Sequence, residues 1–268
     1  MNPSTPDTPP LALVTGASSG IGRELARVLA ENGFDLVVAA EDAGIEAVAE
    51  QLRAHGGAAR PVRVDLRNQE EVDELYATCT ATGPLDAAAL NAGIGKGGRF
   101  LDLDFAADQE IIDLNVSSTV RLAKHVLRDM TRRGTGRVLI TSSVASTMPG
   151  TYQSVYNASK SFLQSFSEAV QAELRVDHAE VTVTSLMPGP TETEFFERAD
   201  MQDTKVGSSP KDDPAKVAEQ GYRAMLKGED KVFAGSVGSQ AQGRFSGLLP
   251  DRLKAALHKR MAAPGSAR

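Results

Sequence analysis

Apolar residues along this chain fall into two alternating patterns. Compact runs at Leu11–Thr15, Leu36–Ala40, Val62–Leu66, Leu85–Leu90, Val138–Thr141, Val181–Met187 and Lys231–Ala234 have the length of buried strands. Between them, apolar positions recur at helical spacing. Ile21, Leu25, Val28 and Leu29 predict a helix to about Asn32, and further helices are predicted over Ile45 to about His55, Glu70–Thr80, a long region containing Ile111–Met130, and Tyr156–Leu174. A strand that is followed by a helix and then by another strand is a βαβ unit. The repetition predicts an α/β fold, a doubly wound parallel sheet of about seven strands with helices on both faces. With 268 residues the chain is long enough for one such domain, placed at 11–261. Met1–Pro10 carries four prolines and reads as a flexible leader, and 262–268 as a frayed tail.

Sheets of this kind bind ligands beyond the carboxyl ends of their strands, so the residues just after each strand are the candidates for chemistry. The first such turn is Thr15-Gly16-Ala17-Ser18-Ser19-Gly20-Ile21-Gly22, with glycines at i, i+4 and i+6. Gly16 suits a tight exit from the strand, Gly20 an approach by a pyrophosphate, and Gly22 close packing of helix on sheet. The helix that follows would turn its free N–H groups and positive dipole end toward phosphates. A second signal is Tyr156 and Lys160, four residues apart on one predicted helix face. A nearby cation favours the phenolate, and moving a tyrosine from its reference value near 10 to about 7 takes roughly 4 kcal/mol. One surface lysine does not supply that; a positively charged nicotinamide ring and partial burial would have to help, so the pair predicts an enclosed, cofactor-dependent site. Ser143, thirteen residues before Tyr156, ends the strand-like run Arg137–Ser143, with Ser142 as its rival.

Thr15–Gly22, Asn91-Ala92-Gly93, Asn115, Ser143 and Tyr156-x-x-x-Lys160 occur in the order and approximate spacing of the short-chain dehydrogenase/reductase family, which this chain resembles from about Leu11 to about Phe233. The resemblance implies a single Rossmann-type domain and an NAD(P)-dependent oxidoreductase that interconverts a secondary alcohol and a ketone. By resemblance Tyr156 is the general acid and base, Lys160 lowers its pKa and holds the ribose hydroxyls, Ser143 hydrogen-bonds the substrate oxygen, and Asn115 holds a water that links Lys160 to solvent. The implied cofactor contacts are Gly16, Ser18, Ser19, Gly20, Ile21 and Gly22 in the first turn, Glu41, Asp65 and Leu66 at the adenosine end, Asn91, Ala92 and Gly93 on the floor, Tyr156 and Lys160, and Pro188, Gly189, Thr191 and Thr193 at the nicotinamide. Helix capping is the alternative for both threonines. Leu90 stands where the family often has a second Asn, for which a small packing change is expected.

The second strand ends Ala40-Glu41-Asp42, with neither the Asp that NAD users usually carry at the position of Ala40 nor the Arg that NADP users often carry at that of Glu41. A 2′-phosphate near Glu41 would meet like charge, at up to about 4 kcal/mol for a pair about 4 Å apart. That tilts the expectation toward NAD, with NADP open through Arg60 or Arg63. Segment 191–213, with Phe195-Phe196 and the polar Asp200–Pro210, reads as a lid over an apolar substrate. Lys96, in the glycine-rich Ile94–Phe100, either attracts an anionic substrate or is a solvated loop lysine. The segment from Val232 to Met261, with Phe233, Phe245, Leu248, Leu249, Leu253 and Leu257, either covers the pocket, forms an interface, or packs on its own domain. The family resemblance also implies a homodimer or homotetramer through the helices containing Asn115 and Tyr156. Two other readings stay open on this scaffold: a dehydratase or epimerase, and a non-catalytic dinucleotide sensor or scaffold.

Composition narrows the partners. A net charge of −6 and a pI near 5.3 argue against nucleic acid. The lone cysteine, Cys79, excludes an internal disulfide, and the scattered His55, His125, His178 and His258 lack metal-ligand spacing, so no metal is expected. There is no apolar stretch of membrane-spanning length and no signal-peptide pattern, and a cytoplasmic enzyme acting on a small molecule is the expectation.

Overall fold

The computed structural model describes residues 8–176, 180–246 and 250–267. Seven strands form one sheet in the order β3-β2-β1-β4-β5-β6-β7, and every pairing is parallel. They are β1 (Leu11–Thr15), β2 (Asp35–Ala40), β3 (Ala59–Arg63), β4 (Leu85–Leu90), β5 (Thr135–Thr141), β6 (Glu180–Pro188) and β7 (Lys231–Ala234). This is a Rossmann-like α/β architecture. Strand order runs outward in both directions from β1, so the crevice between the turns after β1 and β4 is the topological switch point where such sheets take ligands.

Helices cover both faces because each carries an apolar stripe. On one face lie α1 (Gly20–Glu31), α2 (Gly44–Arg53) and α9 (Pro214–Lys227), whose Leu25, Leu29, Ile45, Leu52, Val217 and Met225 pack with Val14 and Val38 of the sheet. On the other lie α3 (Gln69–Thr82), α5 (Thr119–Arg133) and α6 (Ser154–Val176), burying Leu75, Leu122, Val126, Met130 and Leu163 against Leu13, Val37 and Ile140. The strands are apolar on both sides because both sides are covered. Cys79 is buried in this second layer, and burial pushes its thiol up to about 12, which makes it a packing residue.

Two elements differ from the sequence expectation. The third strand lies at Ala59–Arg63, not Val62–Leu66, and pairs Leu36–Ala40 with Ala59–Arg63. It is an edge strand, a position that tolerates Pro61. Val64 and Leu66 are still buried, but in the turn that follows. The long helical region is broken into α4 (Phe105–Ile111), a π-helical stretch (Ile112–Ser118) and α5, so Asn115 does not sit in a regular helix. Such widened turns recur at functional sites. Helix α9 was not anticipated, although Asp213 caps its first turn, Pro214 opens it and Gly228 ends it in the left-handed conformation at φ 65°. The short α7 (Phe195–Arg198) and α8 (Lys205–Ser208) lie in the lid segment, and α10 (Val237–Ser246) and α11 (Asp251–Ala262) follow β7. Leu248 and Leu249 fall outside the described residues.

Candidate active site

The catalytic and cofactor-contact candidates all line one cleft along the carboxyl edge of the sheet, except Gly22 and Asn115, which are not in its lining. Gly22 lies where a Cβ would come 2.0 Å from the carbonyl oxygen of Gly16, so helix α1 reaches the turn only without a side chain there. Gly16 itself has φ +64°. Ser19 stands at the N-cap of α1, but its hydroxyl makes no capping bond, which leaves the first-turn amides open toward the cleft. Those open amides, beside a side-chain-free backbone, are the donor set that a dinucleotide pyrophosphate requires.

Thr15, Asn91 and Thr141 tie the ends of β1, β4 and β5 together. Thr15 Oγ1 accepts from the N–H groups of Asn91 and Ala92 at 3.0 and 3.1 Å, and Thr141 Oγ1 donates to Asn91 Oδ1 at 3.0 Å. The Asn91 side chain is therefore engaged in holding the floor. Leu90, where a second Asn was noted as missing, is 3% exposed and packs in the core.

Ser143, Tyr156 and Lys160 are brought together by the turn after β5 and by α6. Ser143 lies just past β5, its Oγ accepting from Ala145 N at 3.1 Å and donating to Pro188 O at 3.5 Å beside the buried Tyr156, while Ser142 Oγ donates to the Lys160 carbonyl at 2.8 Å. Of the two rivals, Ser143 is the one that reaches the phenol. Lys160 Nζ lies 5.9 Å from the Tyr156 ring centroid and donates to Thr141 O at 2.9 Å. Asn115 Nδ2 donates to Ile94 O and to Ser159 Oγ, both at 2.9 Å, and its Oδ1 accepts from Ile94 N at 2.9 Å. Asn115 Oδ1 and Lys160 Nζ each sit 3.1 Å from where a Gly93 Cβ would be, so that glycine is what lets amide and ammonium converge.

Burial acts against the expectation that it would help to lower the phenol: it pushes Tyr156 up to about 12, the Ser143 hydroxyl opposing in part. Lys160 is pushed down to about 8, also by burial. Desolvation disfavours the charged form of each, and it outweighs what the lysine could do for the phenolate.

At the adenosine end the sequence reading missed one residue. Arg67 clasps Asp65 through Nε at 2.9 Å and Nη2 at 2.8 Å, and gives a further Nη2 bond to Glu41 Oε2 at 2.8 Å. It holds the Asp65 carboxyl below the usual carboxylate range. Arg63 donates to the Glu41 carbonyl at 3.0 Å, whereas Arg60 turns away to Thr82.

At the opposite end, Pro188, Gly189, Thr191 and Thr193 lead into a wall formed by Phe195 and Phe196 and closed by the C-terminal helix through His258, Met261 and Ala262. Thr193 Oγ1 also accepts from Phe195 N at 3.3 Å, a capping contact. Phe195 lies 5.0 Å from the Tyr156 ring. Lys96 pairs with Asp200, and Gly97 N and Gly98 N donate to Ala199 O at 2.8 Å and Tyr152 O at 2.9 Å, so the glycine-rich loop is pinned to the segment read as a lid. The last residues also differ from a frayed tail: Gly265 N donates to Asp203 Oδ2 at 2.7 Å, Ala267 N to Asp203 O at 2.9 Å, and Ser266 Oγ accepts from Lys205 N at 2.9 Å. Among the described residues no three His, Cys, Asp or Glu side chains group as a metal site, and no helix is long and apolar enough to cross a membrane.

A parallel sheet with a glycine turn at its switch point and a buried Ser-Tyr-Lys set defines a dinucleotide-dependent oxidoreductase scaffold. Residues 10–204 match the family model of the short chain dehydrogenases, and the chain belongs to that family of oxidoreductases. It is similar to the probable oxidoreductase EphD of Mycobacterium tuberculosis, 33% identical over 84% of this chain but only 36% of that protein's length. It is also similar to the 3-oxoacyl-(acyl-carrier-protein) reductase of a Synechocystis strain, 34% identical over 71% of this chain and 77% of that one. Among solved structures, a short-chain dehydrogenase from Sphingobium yanoikuyae in complex with NADPH aligns at a TM-score of 0.77 with 27% identity, covering 83% of this chain and 87% of that one. One from Burkholderia phymatum in complex with NAD aligns at 0.79 with 25% identity, covering 84% and 88%.

Proposed function

We propose that this protein reduces a ketone to a secondary alcohol, or runs the reverse oxidation, with NAD as the preferred nicotinamide and Tyr156 as the proton donor and acceptor. The observation that carries the reading is the buried Ser143–Tyr156–Lys160 group in the same cleft as the open N-terminus of α1. The cofactor, when bound, supplies or takes the hydride. A phenol pushed up to about 12 keeps its proton at neutral pH, which suits the donor in carbonyl reduction. Ser143, in the cleft beside that phenol, places a second hydroxyl to polarise the carbonyl oxygen. Lys160, held by Thr141 O, keeps a cation close to the phenol ring and steadies the phenolate left after transfer. Asn115, whose Oδ1 converges with Lys160 Nζ at Gly93, would hold the water that links Lys160 to solvent and so lets the proton be restored.

The preference for NAD rests on Glu41 in the cleft wall. For the 191–213 segment we infer a lid, held by Lys96–Asp200 and by the C-terminal turn. Its Phe195 and Phe196 favour an apolar substrate. Assembly as a homodimer or homotetramer is supported by Phe105, Ile112 and Phe162, which stand 72%, 38% and 44% exposed on α4, the π-helical stretch and α6. A cytoplasmic setting fits the single buried thiol. The sensor reading is disfavoured by the full catalytic set, and the dehydratase or epimerase reading by the absence of any observation that requires it. The test is a panel of ketones and aldehydes offered with NADH and NADPH in parallel. Net oxidation of NADH by a ketone supports the proposal, and carbonyl-independent cofactor binding with no turnover across the panel contradicts it.

A further inference from the structure

Glu41 and Asp65 leave neighbouring strands at the adenosine end of the cleft, and both line it. Arg67 stands behind them, one-third exposed, and its guanidinium is unequally shared. Asp65 takes it by a two-pronged clasp, through Nε and Nη2, at 2.8–3.1 Å. Glu41 takes a single Nη2 bond at 2.8 Å. Among the described residues Nη1 has Glu110 alone, at 3.6 Å. A planar guanidinium anchored along one edge keeps its remaining N–H groups in fixed directions. The clasp by Asp65 is thus the anchor, and the Glu41 bond is the exchangeable one.

We propose that Arg67 is the residue that decides how this protein treats the 2′ position of the adenosine ribose, and that Glu41 acts by keeping Arg67 occupied. With a 2′-hydroxyl, Glu41 stays paired with Arg67 and offers its other oxygen to the hydroxyl. With a 2′-phosphate, the phosphate and Glu41 compete for the same N–H. The discrimination then comes from that competition and not from Glu41 charge alone. Removing the Glu41 charge frees a pre-anchored guanidinium, so a protein that lacks a basic residue at the end of β2 still carries a phosphate-binding group on the next turn. The inference rests on the dinucleotide reading of the cleft.

The experiment is a calorimetric measurement of NADH and NADPH dissociation constants for wild type, Glu41→Gln, Arg67→Met and the double variant, with thermal unfolding as a check on each fold. All the altered side chains are at least one-third exposed, so folded proteins are expected. Wild type should bind NADH more tightly. Glu41→Gln should strengthen NADPH binding by about tenfold or more, and in the Arg67→Met background the same change should give no more than about threefold. Equal gains in both backgrounds would overturn the role of Arg67 and leave simple charge repulsion. A wild type that prefers NADPH would overturn Glu41 as the occupant of Arg67. Failure of wild type to bind either dinucleotide would overturn the cofactor reading, and the inference with it.

Discussion

Lys160 is buried with no carboxylate partner among the described residues: its ammonium has the Thr141 carbonyl at 2.9 Å and the face of Tyr156. Burial lowers it from 10.5 to about 8. In the unfolded chain it regains its ordinary value. At pH 7 the protonated lysine therefore costs the fold roughly 3 kcal/mol, at about 1.36 kcal/mol per unit. Lys160→Met removes that cost and keeps the aliphatic volume, while losing a hydrogen bond worth about 1 kcal/mol. The variant should be about 2 kcal/mol more stable than wild type at pH 7, a rise in melting temperature on the order of 4–8 °C for a chain of this size. Between pH 8 and 10.5 the unfolded state of wild type holds a proton that the native state has lost, so wild-type stability rises with pH and the advantage of the variant shrinks. Urea unfolding of both proteins from pH 6.5 to 10 reads this directly. A variant less stable than wild type at pH 7, or a difference that does not change with pH, would refute the reasoning. The same variant should be inactive, which would make Lys160 a residue kept for chemistry at the expense of stability.

Other consequences are more local. Gly93→Ala places a methyl 3.1 Å from both Lys160 Nζ and Asn115 Oδ1, and should lower kcat by about 10–100-fold with a modest loss of stability, on the order of 1–3 kcal/mol; an unchanged kcat would argue that these two groups need not converge. Tyr156 raised to about 12 means that wild-type stability should fall between pH 10 and 12, as the unfolded chain loses a proton that the native phenol keeps; Tyr156→Phe should lack that fall in urea titrations. Cys79 is buried with its thiol pushed up to about 12, so it should react with a thiol reagent only on unfolding, and rapid labelling of native protein would contradict its placement. Asp200→Asn should weaken the pairing with Lys96 and raise KM more than it lowers kcat, if closure of the lid serves substrate capture.

The fold was legible because a parallel sheet covered on both faces writes itself as apolar runs separated by amphipathic helices. The third strand was misplaced because Val62, Val64 and Leu66 alternate like a strand while Pro61 reads as a breaker, and an edge position, invisible in sequence, removes the objection. Helix α9 could have been found from Asp213, Pro214 and Gly228, whose capping signals were present and unused. Local motifs placed Tyr156 and Lys160 together in the cleft, since the two share a helix. What could not be read were relations between distant segments: Arg67 with Glu41, Lys96 with Asp200, and the C-terminal helix closing the cleft. The sign of burial's effect on Tyr156 differs from the expectation for a related reason. Spacing shows which charge is near, but desolvation depends on the whole surrounding shell. The π-helical stretch around Asn115 has no sequence signature to read.

The central claim is that Tyr156 carries the proton for a nicotinamide-dependent carbonyl reduction. The most direct measurement takes the best ketone from the panel and compares NADH oxidation by wild type and Tyr156→Phe, with NADH binding to both measured by calorimetry. The account predicts an NADH affinity within about threefold of wild type and a loss of turnover of about a hundredfold or more. Turnover retained in Tyr156→Phe would contradict it.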